Sequence, residues 1–345
     1  MENQLELIEA IAPDTMQVVQ ERYLVLKNID WMAPVGRRTL ALKLGLTERV
    51  LRTETDLLKN LGLIDASKSG MTITPKGKSV MLGLESLMGQ YSGMKQKERQ
   101  VADYFGIEKC VIVAGNSDEE DKVLASFGLM VSESLRTILP DKENVIAVMG
   151  GTTMAAVAEN MTVLDHKLSN NIFVPARGGI GESVGIQANS VSSTMAAKTG
   201  GTSRPLYVPE RVSKETYQSL LQEPFVQQVL GLIDESTCVI HSIGRALHMA
   251  ERRGMSEEEF VMLKESGAVG ESFGYFFDKE GKVVYKIPRI GLQLDDLEKV
   301  PYILAVAGGA KKSRAIKAYM KHAPKQTWLI TDESAANEIL KEETL

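Results

Sequence analysis

The chain has 345 residues, 43% apolar and 25% charged, with a formal net charge of −5. That is the make-up of a soluble globular protein with room for two or three domains, and no apolar run nears the ~18 residues of a membrane span. Two cysteines and four histidines at unrelated spacings give neither a disulfide framework nor a zinc motif.

Cys110 and Cys238 fall in apolar, strand-like runs and read as buried thiols of a cytosolic protein. The opening, MENQLELIEAIAPD, is acidic and lacks the basic start of a signal peptide. The expectation is a cytoplasmic protein with no membrane partner. Charge is uneven along the chain. Residues 31–78 hold nine Lys/Arg against four acids, a local net of +5 on a body that is otherwise acidic. A small basic module of this kind points to a polyanion partner, or to a plain solvated surface.

Thr15 to Ile29 reads as an amphipathic helix with Val18, Val19, Tyr23, Leu24, Leu26 and Ile29 inward. Gly36 to Leu44 is a short second helix. Gly45-Leu46-Thr47 is a turn ending in an N-cap, and Thr47 to Leu61 is the third helix. Its Val50, Leu51, Leu57, Leu58 and Leu61 are expected inward, with Glu48, Arg49, Arg52, Thr53 and Thr55 on the other side. Helix, tight turn and basic helix form the helix-turn-helix pattern, whose second helix enters the major groove. Leu63 to Thr74, turning at Ser69-Gly70, suits a wing hairpin. Arg49, Arg52 and Thr53 are the candidate base contacts, and Arg37, Arg38, Lys59 and Lys68 the phosphate contacts. Thr47 and Glu48, at the helix start, belong to the same DNA-facing set. The bland alternative is a three-helix bundle with an accidental basic face. Lys76 to Arg99 then reads as one helix. Its stripe of Val80, Leu84, Leu87, Met88, Tyr91 and Met94 would dimerise the chain or pack on its own domain. The boundaries expected are 1–90 for the DNA-binding domain with its linker helix and 91–345 for the rest.

From residue 100 onward, apolar strands alternate with helices, the α/β order of a doubly wound, mostly parallel sheet. Expected strands are Cys110–Ala114, Val145–Met149, Ile172–Val174, Pro205–Val208, Cys238–Ile243, Tyr302–Val306 and Thr327–Ile330. A helix from Lys214 to Asp234 is open to a break at Pro224, and Gly274 to Ile287 reads as an inserted hairpin. Asn144 to Asn160 (NVIAVMGGTTMAAVAEN) is strand, glycine turn, helix start. The amides of a helix's first turn and its positive dipole end favour an anion, usually phosphate. Gly150 and Gly151 let a ligand approach the backbone, and Thr152 and Thr153 add hydroxyl donors. Similar glycine turns follow at FVPARGGIG (173–181) and ILAVAGGAKK (303–312).

The basic helix-turn-helix, GGTT at 150–153, VPARGG at 174–179, ESFGYFF at 271–277 and AVAGG at 305–309 together resemble the SorC family of sugar-responsive bacterial transcription regulators. The resemblance covers nearly the whole chain. It implies a winged helix-turn-helix domain joined to a Rossmann-like effector domain related to sugar-phosphate isomerases and deaminases. It also implies dimers or tetramers on double-stranded operator DNA and a phosphorylated sugar effector. For the glycolytic member of the family, a repressor of glycolytic genes, that effector is fructose 1,6-bisphosphate. The matching positions are Gly150, Gly151, Thr152, Thr153, Arg177, Gly178, Gly179, Gln187, Arg252, Glu271 and Lys312, with Lys311 the alternative to its neighbour. Arg177 can clamp phosphate with two prongs, and Gln187 and Glu271 can accept from sugar hydroxyls. The resemblance implies no cofactor, and the reading has no catalytic residues.

The competing reading is an enzyme, a sugar-phosphate isomerase or amino-sugar-phosphate deaminase. Such chemistry needs a general base and acid. Among His166, His241, His248 and His322, His241 alone ends a strand near the glycine turns, and a satisfied core histidine is its plainer role. A third reading is a phosphate-binding scaffold without DNA activity.

Overall fold

The computed structural model describes residues 13–91, 93–164, 170–178, 183–209 and 214–341. Gly179 and His166 lie outside the described residues.

Three helices, α1 (Pro13–Met32), α2 (Arg37–Leu44) and α3 (Glu48–Asn60), precede a hairpin of β1 (Ile64–Ser67) and β2 (Gly70–Ile73). Gly45 ends α2 at φ +65°, a left-handed position that suits a residue without Cβ. Two residues later Thr47 caps α3, its side chain accepting from the Val50 amide at 3.3 Å. Ser67 stands opposite Gly70, so Lys68 and Ser69 form the tip of the wing. Tyr23, Leu26, Ile29, Leu40, Leu51, Leu58, Ile64 and Met71 make one core.

Several side chains depart from the expected faces. Val18 and Leu24 of α1 are exposed, and Val25 takes the core position instead. On α3 the buried stripe is Leu51, Thr55 and Leu58, spaced four and three. That stripe excludes Val50, which is 46% exposed, and Leu61 at 49%. Thr55, expected on the polar face, is buried, and its hydroxyl donates to the Arg52 carbonyl at 3.1 Å.

The connector is two helices, α4 (Pro75–Tyr91) and α5 (Met94–Phe105), with Gly93 at φ +70° between them. Part of its stripe serves its own domain. Met81 and Met88 are buried in the N-terminal core and Leu84 packs on it, while Val80 and Leu82 are exposed. By internal contacts the chain divides between Gln96 and Lys97. Beyond that point Val101 is buried, and the Glu98 carboxylate accepts from the Ile112 amide at 3.0 Å.

The second unit contains β3 (Lys109–Val113), α6 (Asp121–Ile138), β4 (Val145–Val148), α7 (Thr152–Glu159), β5 (Ile172–Pro175), α8 (Ala188–Thr199) and β6 (Thr202–Ser203). It continues through α9 (Lys214–Gln222), α10 (Pro224–Asp234), β7 (Cys238–Ser242), β8 (Gly244–Arg245), α11 (Ala246–Arg252), α12 (Glu257–Glu265) and β9 (Ala268–Ser272). It ends with β10 (Tyr275–Asp278), β11 (Val283–Lys286), β12 (Tyr302–Val306), α13 (Ser313–Met320), β13 (Thr327–Asp332) and α14 (Glu333–Lys341). Seven strands form one parallel sheet in the order β3-β13-β12-β7-β4-β5-β6. Covered on both faces, its central strands are continuously apolar, and Ile146, Phe173, Ile240, Leu304 and Ile330 are buried among the helices.

The break at Pro224 is present. The expected strand Pro205–Val208 is absent, and the sheet edge is Thr202–Ser203 instead. Proline cannot donate to a ladder, and the Leu206 amide goes to the Asn189 side chain at 2.9 Å. The expected hairpin is one half of a four-stranded antiparallel sheet, β11-β10-β9-β8. Cys110 and Cys238 are buried free thiols, and burial raises both pKa values. Among the described residues no helix is long and apolar enough to cross a membrane.

Leu51 sits in the N-terminal core with none of its side chain exposed. Leu51→Ala is expected to cost that domain about 2–5 kcal/mol. Denaturant titration followed by the two Trp residues, one in each unit, checks it: the Trp31 transition should move and the Trp328 transition should stay.

Candidate functional site

The chain lays β4, β5 and β6 to one side of the sheet, then returns to place β7 on the other side of β4. Ligands of such sheets bind in the crevice at the strands' carboxyl ends where the order reverses. A cavity of about 130 Å³ lies there, walled by the turns that follow β4, β7 and β12.

After β4, Gly150 and Gly151 lead into α7. A Cβ on Gly150 would lie 2.5 Å from the Ile186 carbonyl oxygen, so close packing requires glycine. Gly151 needs it for a different reason, its φ of +123°. The Gly151 amide already donates to Ile186 at 2.8 Å. The amides of Thr152, Thr153 and Met154 begin the helix, where no intrahelical acceptor exists.

After β12, the Gly308-Gly309 turn behaves differently. The Gly309 amide donates to Asp332 at 2.7 Å and the Lys311 amide to Asp118 at 3.0 Å. This turn therefore offers the cavity a side chain. Lys312 lines the cavity and donates from Nζ to the Thr153 hydroxyl at 3.0 Å, whereas Lys311 is exposed and outside the lining. Desolvation pulls the Lys312 amine down to about 8, helped by the positive charges of Arg245 and Arg252 and opposed by Asp118 and Asp332.

Arg177, Arg252 and Glu271 also line the cavity. Glu271 is buried. Its Oε1 accepts from the Gly274 amide at 2.7 Å and meets the Arg253 guanidinium at 3.1 Å. Burial alone would raise its pKa, but Arg253, Arg289 and Arg177 outweigh burial and hold the carboxyl below its ordinary value. Eight of the expected positions thus converge: Gly150, Gly151, Thr152, Thr153, Arg177, Arg252, Glu271 and Lys312. Gly178 does not join them. Its Cβ would lie 2.1 Å from Val208 Cγ2 and its amide donates to Ile290, which makes it a packing position. Gln187 stands behind Gly150 at the start of α8, outside the lining.

Sequence reasoning missed Asp118, Arg245, His248, Arg253 and Phe273, all of which line the cavity. Arg253 adjoins Arg252 in sequence as the C-cap of α11, a seven-residue helix too short to show a period. Phe273 carries a signal in its neighbour, since Phe-Gly occupies a two-residue hairpin turn with φ of +52° and +82°. Five cations, Arg177, Arg245, Arg252, Arg253 and Lys312, face two carboxylates, so the cavity favours an anion.

His241 is fully buried behind this wall. Its ring nitrogens lie 3.3 Å from the Ser272 hydroxyl and 3.0 Å from the Tyr319 hydroxyl, and its ring packs on Phe273 and Tyr319. Burial pushes its pKa down to about 3. It is a neutral core residue and no acid–base group.

In the N-terminal unit, Arg38, Glu48, Arg49, Arg52, Thr53 and Lys59 are exposed on α2 and α3, and Lys68 is exposed on the wing. Thr47 serves the cap, and the Thr53 hydroxyl donates to the Arg49 carbonyl at 3.2 Å. Three arginines hold acidic partners: Arg37 and Arg52 share Asp56 at 2.6 and 3.8 Å, and Arg38 faces Glu48 at 3.8 Å.

Residues 18–88 match the family model described as "CggR N-terminal DNA binding domain", and residues 90–341 that described as "Putative sugar-binding domain". The chain is 43% identical to the central glycolytic genes regulator of Priestia megaterium, over 99% of both proteins. The chain belongs to the SorC family of sugar-binding transcription regulators. The protein of the same name from Bacillus subtilis is 41% identical over 98% of this chain and 99% of its own. The crystal structure of a SorC family transcriptional regulator from Enterococcus faecalis is 65% identical, covering 71% of this chain and all of that one, with a TM-score of 0.69. The full-length sorbitol operon regulator SorC from Klebsiella pneumoniae covers 92% of this chain and 98% of its own at a TM-score of 0.65. At 16% identity it speaks for the fold alone. These relatives are transcription regulators and not enzymes.

Asp56 pairs with both Arg37 and Arg52, two of the expected DNA contacts. Asp56→Asn is expected to raise affinity for an unrelated duplex roughly twofold to fivefold at low salt, the scale of one exposed ion pair. Fluorescence anisotropy with a labelled duplex measures this, and an unchanged affinity would place Arg37 and Arg52 away from the phosphates.

Proposed function

We propose that the chain regulates transcription of central glycolytic genes, the role that the names of its Priestia and Bacillus relatives give to those proteins. In this reading it is a repressor, and a phosphorylated sugar, fructose 1,6-bisphosphate foremost, loosens its hold on operator DNA. Residues 1–90 are the DNA-binding domain with its linker helix, and residues 91–345 bind the effector and form dimers or tetramers. The exposed Val80 and Leu82 of α4 are consistent with self-association.

One observation supports the effector reading above the rest: the cavity joins the start of a helix to five cations and two carboxylates. The first turn of α7, with Lys312 and Arg252, suits one phosphate. Arg177 and Arg253 suit another, and the carboxylates of Asp118 and Glu271 suit sugar hydroxyls between them. Binding regulates only if it favours one arrangement of the protein over another.

The test is release of a labelled operator fragment, taken upstream of glycolytic genes, by a panel of phosphosugars. Fructose 1,6-bisphosphate should release the fragment at lower concentration than monophosphates. Thr152→Val and Arg177→Ala should bind the same fragment normally yet need at least tenfold more effector. Normal release in both variants would put the effector elsewhere, and release by no phosphosugar would overturn the reading.

The lowered Lys312 pKa adds a pH signature. Phosphate binding requires the charged amine, so above about pH 8 the protein must take up a proton to bind. Effector affinity should fall as pH rises from 8 to 9.5, and Lys312→Arg, charged throughout, should flatten that fall. Calorimetric titration at several pH values measures both slopes.

A further inference from the structure

α3 is capped by Thr47, and its third residue is Val50. An exposed valine elsewhere on the surface would need no explanation. This one departs from the pattern of its own helix, since the buried stripe runs through Leu51, Thr55 and Leu58 and leaves Val50 46% exposed. Valine is also a mediocre helix former, so helix propensity does not account for it there.

Its neighbours give the position meaning. At about 100° per residue, Val50 and Thr53 lie about 60° apart round the helix axis, while Arg52 lies about 160° from Val50. The exposed face of α3 therefore has two edges. Arg52 and Lys59, about 20° apart, make one edge basic, and Arg49 stands between the edges, about 60° from Arg52 and about 40° from Thr53. Val50 and Thr53 make the other edge largely apolar, because the Thr53 hydroxyl is turned back onto the Arg49 carbonyl at 3.2 Å. In the major groove, guanine offers N7 and O6 to an arginine fork, and thymine offers its C5-methyl group to an apolar side chain. A helix face divided in this way matches both chemistries.

We propose that Val50 is a base-reading residue, its isopropyl group packing on the C5-methyl of a thymine in the operator. The contact rests on the operator-binding reading above and extends it from arginine contacts to a methyl contact. It makes sequence recognition depend on a group that carries no hydrogen bond.

Deoxyuridine removes that methyl and leaves every hydrogen-bonding edge of the base intact. The full chain is first taken through in vitro selection on a random duplex library. Each thymine of the enriched sequence is then replaced singly by deoxyuridine. The wild-type chain should lose about fourfold in affinity at one or more of these positions, the worth of one buried methyl group. Val50→Ala, a surface change expected to leave folding intact, should bind the thymine site about as weakly and be indifferent to uracil at that position. Val50→Thr, which keeps a γ-methyl, should recover part of the difference. If Val50→Ala discriminates thymine from uracil as strongly as wild type at every position, or if wild type discriminates at none, the thymine contact is wrong. If no sequence is enriched at all, the operator-binding reading falls and this contact falls with it.

Discussion

A single buried carboxylate holds the rim of the cavity together. Asp332, with no solvent exposure, accepts from the amides of Ser117 and Gly309, each at 2.7 Å, and from Ser334 Oγ and the Ala335 amide at 2.9 and 2.8 Å. Four donors make a buried acid tolerable. They also fasten the loop after β3, the turn after β12 and the start of α14 to one point. Gly308 fits only because it lacks a side chain, since its Cβ would stand 2.8 Å from that carboxylate. Because the Gly309 amide is spent on Asp332, the turn after β12 contributes Lys312. The turn after β4 keeps its helix start facing the cavity. Two glycine pairs of similar sequence thus serve the cavity differently, one with backbone amides and the other with a side chain.

The two units use positive charge in different ways. On α2 and α3, Arg38 and Arg52 are exposed and lightly held, Arg38 by Glu48 at 3.8 Å and Arg52 by Asp56 at the same distance. Such charges are screened within about 10 Å at 0.1 M salt, so contacts made through them weaken as salt rises. In the cavity Arg253 and Glu271 have side chains 4% exposed and only 3.1 Å apart. Salt reaches such a pair poorly, and its geometry is set before any ligand arrives.

Much of this could be read from the chain. Parallel strands announced themselves as continuous apolar runs ending in glycine, and the Thr47 cap and Gly45 stop marked the helix-turn-helix. What stayed hidden depended on partners distant in sequence. Val50 and Thr55 exchanged expected faces because the helix stripe follows Leu51, and only packing says which of two adjacent apolar residues leads. Pro205–Val208 had strand composition, yet the Asn189 side chain captured its backbone. Arg245 and Arg253 reach the cavity from beside α11, a helix of seven residues too short to show a period. Gly178 looked like a phosphate glycine until Val208 was seen against it.

The strand order also has a consequence for how the protein is made. β3 is the first strand of the sheet to leave the ribosome, and it waits for β13, the last, because Cys110 pairs with Leu329. β4, too, lacks its β7 neighbour until residue 238 has emerged. The N-terminal helices and hairpin close their core from contacts within the first ninety residues. Contacts of such short separation form early, while long-range parallel pairing comes late. Each newly synthesised molecule therefore passes through an interval in which the core of the DNA-binding domain is complete and the cavity of the sugar-binding domain does not yet exist.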